Sequence, residues 1–214
     1  MAPRPLLQRV RYTAPVRTTS VALAATLLAI GAAGSPSTRS ESADPTGRRA
    51  PVLALPWATV APHEMADLRG RVVLVRWWTD TCPFCATSAP ALVDWHERYA
   101  DRGLVVLGVF HPKPRGDASL ERARRGAARL GFDFPIAVDA DWAALRRWWL
   151  DTNPTGWTSV TFVVDRRGVI RHVHPGGEYH RSAGGGSHRD DHDRCRRDWE
   201  VLDALLGRLL DEAP

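Results

Sequence analysis

Cysteine is scarce in this sequence, with three residues among 214. Small domains that depend on disulfide bonds carry many more cysteines per residue, so a disulfide scaffold is excluded. Long apolar runs are also absent: the longest, residues 21–34, has 14 residues and is too short to span a bilayer comfortably. The main part of the chain contains no internal repeat and no second linker that would divide it. These absences predict a single globular domain.

An excess of positive charge is missing from the main part of the chain. The chain has 29 basic and 24 acidic residues. The first 50 positions hold seven basic and two acidic residues, so residues 51–214 hold 22 basic and 22 acidic residues. Residues 51–214 thus have no net charge, and they contain neither a stripe of Arg or Lys nor a nucleic-acid recognition motif. These features argue against a nucleic-acid partner. The composition, with 44% apolar and 25% charged residues, is that of an ordinary globular domain.

The first 34 residues have the pattern of a secretory signal. Four arginines and no acidic residue precede the apolar run, and small residues follow it. We expect either cleavage near Ala33 or Gly34 or an uncleaved N-terminal anchor, with membrane association only in the second case. Residues 35–49 are rich in Ser, Pro, Thr and Arg and predict a flexible linker, followed by one domain over residues 50–214. The expected location is extracytoplasmic, or cytoplasmic if the leader is not a signal.

Hydrophobic periodicity in residues 50–214 alternates between strands and helices. Strands are predicted at 71–78, 103–110 and 134–138 and in a hairpin formed by 159–165 and 169–174. Helices are predicted at 83–100, 119–130, 141–150 and 198–210, the last burying Val201, Leu202, Leu205, Leu206 and Leu209. A strand–helix alternation followed by a hairpin and a helix predicts an α/β sandwich around a mixed sheet.

The motif Cys82-Pro83-Phe84-Cys85 lies where a buried strand meets the following helix. With Pro83 at the first helical position, the unpaired N–H groups and positive end of the helix face the Cys82 sulfur. Such a setting lowers the pKa of a thiol, so Cys82 is predicted to attack and Cys85, one turn further on, to resolve the mixed disulfide. Half of a zinc site is the competing interpretation, but it needs a second pair of ligands, and only Cys195 and scattered histidines are available. We therefore expect redox chemistry with no metal or other cofactor.

The residues around this motif resemble those of thioredoxin-like proteins, in particular the TlpA/ResA-type thiol-disulfide reductases and, more loosely, the AhpC/TSA redoxins. The resemblance covers about residues 50–173 and rests on APVLAL, LRGRVVLVRWWTDTCPFCATSAPAL, GLVVLGVF and TFVVDRRGVIR. It implies a thioredoxin-like fold, a central mixed β-sheet flanked by helices with the CxxC at the N-terminus of the first main helix. It also implies electron exchange with disulfides or thiols of other proteins through Cys82 and Cys85, and an upstream redox partner that recharges the site.

Four positions depart from the pattern of these relatives. Ser159 stands where they usually have a cis-proline; a cis bond before a non-proline residue costs about 2.5–4 kcal/mol, so we expect a trans bond and an altered substrate groove. Arg76 replaces a common Asp or Asn, and a buried arginine must pair with a carboxylate or approach the thiols, whose pKa it would lower. Thr81 replaces a common Trp, with Asp80 beside it, and Ser88 replaces a Glu frequent in ResA-type proteins. The candidates for tuning the thiols or lining the groove are Arg76, Thr79, Thr81, Pro83, Phe84, Trp157 and Ser159.

A thiol peroxidase is the alternative function. Thr79 and Cys82 match the TxxC pattern of peroxiredoxins, in which the Thr hydroxyl orients peroxide, and an exposed thiolate of low pKa also reacts with peroxide. Cys82 would then be the peroxidatic thiol, resolved by Cys85 or by Cys195, a third candidate redox thiol. A non-catalytic binding module that keeps the disulfide for structure is a further alternative, whose function would survive replacement of Cys82 by Ser.

Histidines are concentrated in residues 172–195, which hold five of the eight and have a glycine-rich centre. His188, His192 and Cys195, with His180 or an Asp, would offer ligands for a tetrahedral metal site if the segment were helical. The glycine-rich residues 184–187 would leave such ligands unorganised, so the sequence favours a solvated, mobile loop and no metal site.

Overall fold

The protein is described here by a computed structural model that covers residues 44–59, 67–154, 156–181 and 189–213, without the side chains of residues 189–191. The expected leader at 1–34, most of the expected linker and His188 lie outside the described residues. All described residues belong to one unit, Glu41–Pro214. Within these ranges, no helix combines the length and the apolar character needed to cross a membrane.

Five strands form a mixed sheet with the order β3-β2-β1-β4-β5. The strands are β1 Val72–Trp78, β2 Leu104–Phe110, β3 Ile136–Val138, β4 Thr161–Val164 and β5 Ile170–His174. The first three run parallel to one another, and β4 and β5 are antiparallel, as the predicted hairpin requires. All seven residues of β1 are buried, because this strand has neighbours on both edges and packing on both faces, and this explains its near-continuous apolar run.

Helices cover both faces of the sheet. They are α1 Pro83–Tyr99, α2 Leu120–Arg129, α3 Ala143–Leu145, which continues into the π-helical turn Arg146–Leu150, and α4 Arg189–Asp211. Alternate residues of β1 separate the core into two clusters. Leu74 and Trp78 pack with residues of α1, α2 and α4 on one face, whereas Val75 and Trp77 pack with α3 and its π-helical turn on the other. The expected thioredoxin-like sandwich around a mixed sheet is confirmed.

Three details of the predicted elements are wrong. Helix α4 begins at Arg189, nine residues before the predicted start, because its first turns are rich in charge and lack the apolar spacing that signals a helix. Val201 is 52% exposed instead of buried, since it lies outside the stripe formed by Leu202, Leu205, Leu206 and Leu209. The helix predicted at 141–150 starts only at Ala143, because Trp142 adopts a left-handed backbone with φ 65°.

Candidate active site

The CxxC motif follows the C-terminal end of the central strand β1. Cys82 is the N-cap residue of α1 and Pro83 is its first residue, as the sequence predicts. The backbone N–H of Cys85 donates a hydrogen bond to the Cys82 sulfur at 3.3 Å. The first turn of α1 therefore places a backbone N–H donor against the sulfur, which is the arrangement that favours a thiolate.

The two thiols of the motif have opposite acidities. Interaction with the Cys85 thiol, together with contacts from Ser159 and the Cys85 N–H and the charge of Arg76, lowers the pKa of half-buried Cys82 to about 5. The same interaction with the Cys82 sulfur, together with burial, raises the pKa of Cys85. Both cysteines are free, so the structure represents the dithiol state.

Ser159 bridges the two sulfurs. The Cys85 thiol donates to the Ser159 hydroxyl with a sulfur–oxygen distance of 3.2 Å, and that hydroxyl donates to the Cys82 sulfur at 3.7 Å. Among the described residues the cis peptide bond is Lys113–Pro114, so the bond before Ser159 is trans as expected. At the position where the resemblance predicts a proline, this chain has a hydroxyl within reach of both thiols.

Arg76 is buried in β1 with 1% exposure and lies behind this serine. Its Nη1 atom donates to the Ser159 carbonyl at 2.8 Å and to the Thr161 hydroxyl at 3.1 Å, and its Nη2 atom donates to the Gly177 carbonyl at 3.1 Å. Its guanidinium carbon lies 5.3 Å from the centre of the Tyr179 ring. No carboxylate among the described residues forms an ion pair with it, and its positive charge contributes to the lowered pKa of Cys82.

Thr79 and Thr81 line the same cavity as Cys82, but their hydroxyls and the Asp80 carboxylate bind partners other than the sulfurs. The Asp80 carboxylate binds Arg122 through two hydrogen bonds of 2.8 and 3.0 Å, and these hold the pKa of Asp80 below its ordinary value. Thr79 is buried and donates its hydroxyl to Asp80 at 3.4 Å, while Thr81 donates to the Lys113 carbonyl at 2.9 Å. The negative charge of Asp80 is therefore neutralised locally, and the Thr79 hydroxyl is engaged with a carboxylate.

A cavity of about 310 Å³ opens over Cys82. Phe84 and Trp157 form part of its wall, with ring centres 5.5 Å apart in an edge-to-face contact, and Trp157 is 58% exposed. Lys113 and Pro114 complete another wall, although the sequence alone did not assign them a role. Two signals could have found them: Lys113 is the sole lysine of the chain, and parallel β1 and β2 end at the same edge, so the segment after β2 must flank the CxxC.

Cys195 lies in a different environment on α4. The residue is 2% exposed, and its sulfur lies 3.8 Å from a carboxylate oxygen of Glu178. Burial and the charge of Glu178 raise the pKa of this thiol. The environment of Cys195 therefore favours the protonated thiol, whereas that of Cys82 favours the thiolate.

A dithiol at the start of the helix that follows the central strand of a mixed sheet defines a thioredoxin-like protein. The chain belongs to the AhpC/TSA family, whose sequence pattern matches residues 46–173. This confirms the resemblance inferred from the sequence.

Individual relatives agree with this classification. Protein DipZ of Mycobacterium tuberculosis is 33% identical over 152 residues, which are 71% of this chain but only 18% of DipZ. Thiol-disulfide oxidoreductase ResA of Geobacillus kaustophilus is 27% identical over 127 residues, 59% of this chain and 67% of ResA. The solved structure of a thiol-disulfide isomerase from Corynebacterium glutamicum superimposes with a TM-score of 0.55 at 25% identity, covering 77% of this chain and 98% of that protein.

Proposed function

We propose that this protein is a thiol-disulfide oxidoreductase that exchanges electrons between Cys82/Cys85 and disulfides or thiols of other proteins. The observation that carries the proposal is the placement of the two thiols: Cys82 caps α1 at an open cavity and accepts the Cys85 N–H, whereas Cys85 is buried. This placement lowers the pKa of Cys82 to about 5 and raises that of Cys85. One sulfur is ionised and accessible for attack, while the other keeps its proton until it is needed. The similarity to ResA, a thiol-disulfide oxidoreductase by name, supports the same activity.

In the reductive direction, the Cys82 thiolate attacks one sulfur of a substrate disulfide. The substrate S–S bond breaks, its second sulfur leaves as a thiolate that takes up a proton, and Cys82 is joined to the substrate. Cys85 then loses its proton and attacks the Cys82 sulfur, which forms the Cys82–Cys85 disulfide and releases the reduced substrate. A reducing partner returns two electrons to this disulfide, and the reverse sequence oxidises a substrate dithiol.

Ser159 and Arg76 support the second step. Once Cys82 is in the mixed disulfide it carries no charge, so the contact that raises the pKa of Cys85 is lost. The Ser159 hydroxyl already accepts the Cys85 proton in a hydrogen bond and offers the first acceptor on its path out of the site. Arg76 holds the Ser159 carbonyl and contributes positive charge, which makes it a positioning residue.

The groove beside Cys82 fits an extended segment of a protein substrate. Pro83, Phe84, Pro114 and Trp157 give it apolar walls, and the exposed face of Trp157 offers contact area at low entropic cost. Thr81 fixes the loop that carries Lys113 at the opposite rim. This groove would select substrates by the residues that flank the reactive cysteine.

The test is a redox titration of the full chain in glutathione and dithiothreitol buffers, with sulfur bonding mapped by mass spectrometry. We expect a reversible Cys82–Cys85 disulfide, and accumulation of a mixed disulfide with a substrate peptide in Cys85→Ser but not in Cys82→Ser. Cys195→Ser is the matched control and should titrate like the parent. If hydrogen peroxide added to the reduced protein instead gave a sulfenic acid on Cys82 or a Cys82–Cys195 bond, with no internal disulfide, the result would favour the peroxidase.

We also propose that this domain, residues 50–214, acts outside the cytoplasm after export directed by residues 1–34. The arginine-flanked apolar run supports this, as does the oxidising chemistry of such compartments, in which disulfides form and persist. N-terminal sequencing of the protein recovered from the exported fraction of an expressing bacterium should place the mature start near residue 34. Recovery of the whole protein in the cytoplasm would contradict export.

A further inference from the structure

A second group of reactive side chains lies away from the redox pair. Glu178 and His180 are on the segment after β5, and Cys195 is on the second turn of α4. Each offers a ligand atom, and these three atoms all lie within 4.8 Å of one another. The backbone also joins the two segments, because the N–H of His180 donates to the Cys195 carbonyl at 3.4 Å.

The two ring nitrogens of His180 have different surroundings. Its Nε2 atom lies 3.2 Å from Nδ1 of His192, a hydrogen-bonding distance. Its Nδ1 atom is buried and has no hydrogen-bond partner. In metal sites a ligating histidine gives one nitrogen to the ion while a hydrogen bond to the other fixes the ring, so Nδ1 is the atom left for a ligand and His192 is the orienting partner.

We infer that Glu178, His180 and Cys195 form a binding site for a divalent cation of the zinc class, with His192 orienting His180. One sulfur, one nitrogen and one oxygen ligand suit Zn²⁺, whereas Mg²⁺ and Ca²⁺ require oxygen ligands. Three protein ligands leave the fourth tetrahedral position for water. The site is distinct from the CxxC motif and does not depend on its activity.

Distances and charge agree with this assignment. Tetrahedral zinc with ordinary bond lengths would separate a thiolate sulfur from a carboxylate oxygen by about 3.6 Å, close to the 3.8 Å between Cys195 and Glu178. On binding, the Cys195 thiol releases its proton to solvent, so a thiolate and a carboxylate balance the two positive charges of the ion and His180 stays neutral. His180 and His192 line an open cleft of about 460 Å³, which provides an entry path.

The site would tie the segment after β5 to α4. That segment also contacts the redox centre, because Arg76 binds the Gly177 carbonyl and the Tyr179 N–H donates to Ser88. A bound ion would therefore stabilise the folded protein by binding the native state alone, without any change in the sulfur chemistry of Cys82.

The experiment uses Co²⁺ as an optical probe in the full chain carrying Cys82→Ser and Cys85→Ser, so that Cys195 is the sole remaining thiol. We expect one equivalent of Co²⁺ to produce a thiolate-to-cobalt absorption band that Zn²⁺ abolishes. Cys195→Ser should remove the band, and His192→Ala should weaken binding roughly 10- to 100-fold, as for other orienting partners. Glu178→Gln and His180→Ala should each weaken binding at least as much, while Glu200→Gln, an exposed glutamate of α4, should leave it unchanged.

Two results would overturn the inference. One is the absence of a cobalt–thiolate band at saturating Co²⁺ in the variant with a single thiol. The other is a band that persists unchanged in Glu178→Gln and His180→Ala, since Cys195 would then bind the metal without the cluster. Thermal unfolding of the single-thiol protein supplies an independent readout: Zn²⁺ should raise its Tm, and an unchanged Tm would count equally against the site.

Discussion

The carbonyl oxygen of Ser159 lies 2.8 Å from Nη1 of Arg76, while the hydroxyl of the same serine contacts both active-site sulfurs. A buried cation and the redox pair are thus connected through a single residue. The arginine acts by charge and by holding the loop, whereas the serine acts by a hydrogen bond, so substitutions at the two positions should be separable.

Ser159→Ala should raise the pKa of Cys82 by about one unit, because a hydrogen bond to a partly exposed thiolate is lost. The measurement is the pH dependence of Cys82 alkylation, resolved by mass spectrometry of its peptide. Ser159→Thr keeps the hydroxyl and should restore the parent profile. Thr158→Ala, at the neighbouring position in the cavity wall, should not alter it; an unchanged profile in Ser159→Ala would show that the hydroxyl does not act on the thiolate.

Arg76→Met should lower the free energy of unfolding by about 2–4 kcal/mol, since the buried Ser159 carbonyl, the partly buried Gly177 carbonyl and the Thr161 hydroxyl each lose a donor. Urea denaturation of the reduced protein measures this loss. Arg76→Lys keeps the charge without the planar guanidinium, so its free energy of unfolding should lie between those of the parent and Arg76→Met. Arg125→Met, an exposed position on α2, is the control and should stay within about 0.5 kcal/mol; equal effects at both positions would contradict the role of Arg76.

The midpoint potential of the Cys82/Cys85 pair should fall by about 30 mV per pH unit from about pH 6 to about pH 8. Reduction in this range takes up one proton for two electrons, because Cys82 is ionised and Cys85 is protonated. Glutathione titrations at several pH values provide the measurement. A slope of about 59 mV per unit, which two protons for two electrons would give, would mean that Cys82 is not ionised.

The stability of the reduced protein should depend on pH through the ionisation of Cys82. The folded pKa of Cys82, about 5, lies below the ordinary thiol value of 9.0. Ionisation therefore stabilises the folded dithiol form fully above about pH 9, and this stabilisation is lost as the pH falls towards 5. The difference in Tm between the reduced parent and Cys82→Ser should shrink as the pH falls from about 9 to about 5. A difference that stays constant over this range would contradict the prediction.

Trp157→Ala should weaken the binding of protein substrates while leaving the chemistry intact. The indole is exposed and packs on Phe84 beside the nucleophile, so its removal takes away binding surface but no contact to either sulfur. We expect a higher KM for a disulfide peptide and an unchanged alkylation profile of Cys82. Val201→Ala, an exposed apolar position on α4, is the matched control; equal KM values for Trp157→Ala and the parent would show that substrates bind elsewhere.

The sequence alone predicts those parts of the site that depend on neighbours in the chain. The N-cap position of Cys82 follows from the strand–helix junction, and the mixed character of the sheet follows from the alternation of strands and helices and the final hairpin. The hydrogen bonds of Ser159 and Arg76 join residues about 80 positions apart, and no local pattern reveals which carbonyls a buried arginine will meet. His180 and Cys195 are among the ligands that the sequence offers, but the contribution of Glu178 escaped prediction, because the first turns of α4 have no apolar periodicity and no local pattern shows that they lie against the segment after β5.

The position of β1 has a consequence for slow fluctuations of the molecule. This strand is hydrogen-bonded to β2 on one side and to β4 on the other, and its amides should exchange with deuterium only when the whole domain opens. The outer strands β3 and β5 can open at lower free energy. Because the CxxC motif follows β1 directly, the sulfur pair is attached to the part of the chain that opens last, and its geometry should survive partial openings at the edges of the sheet.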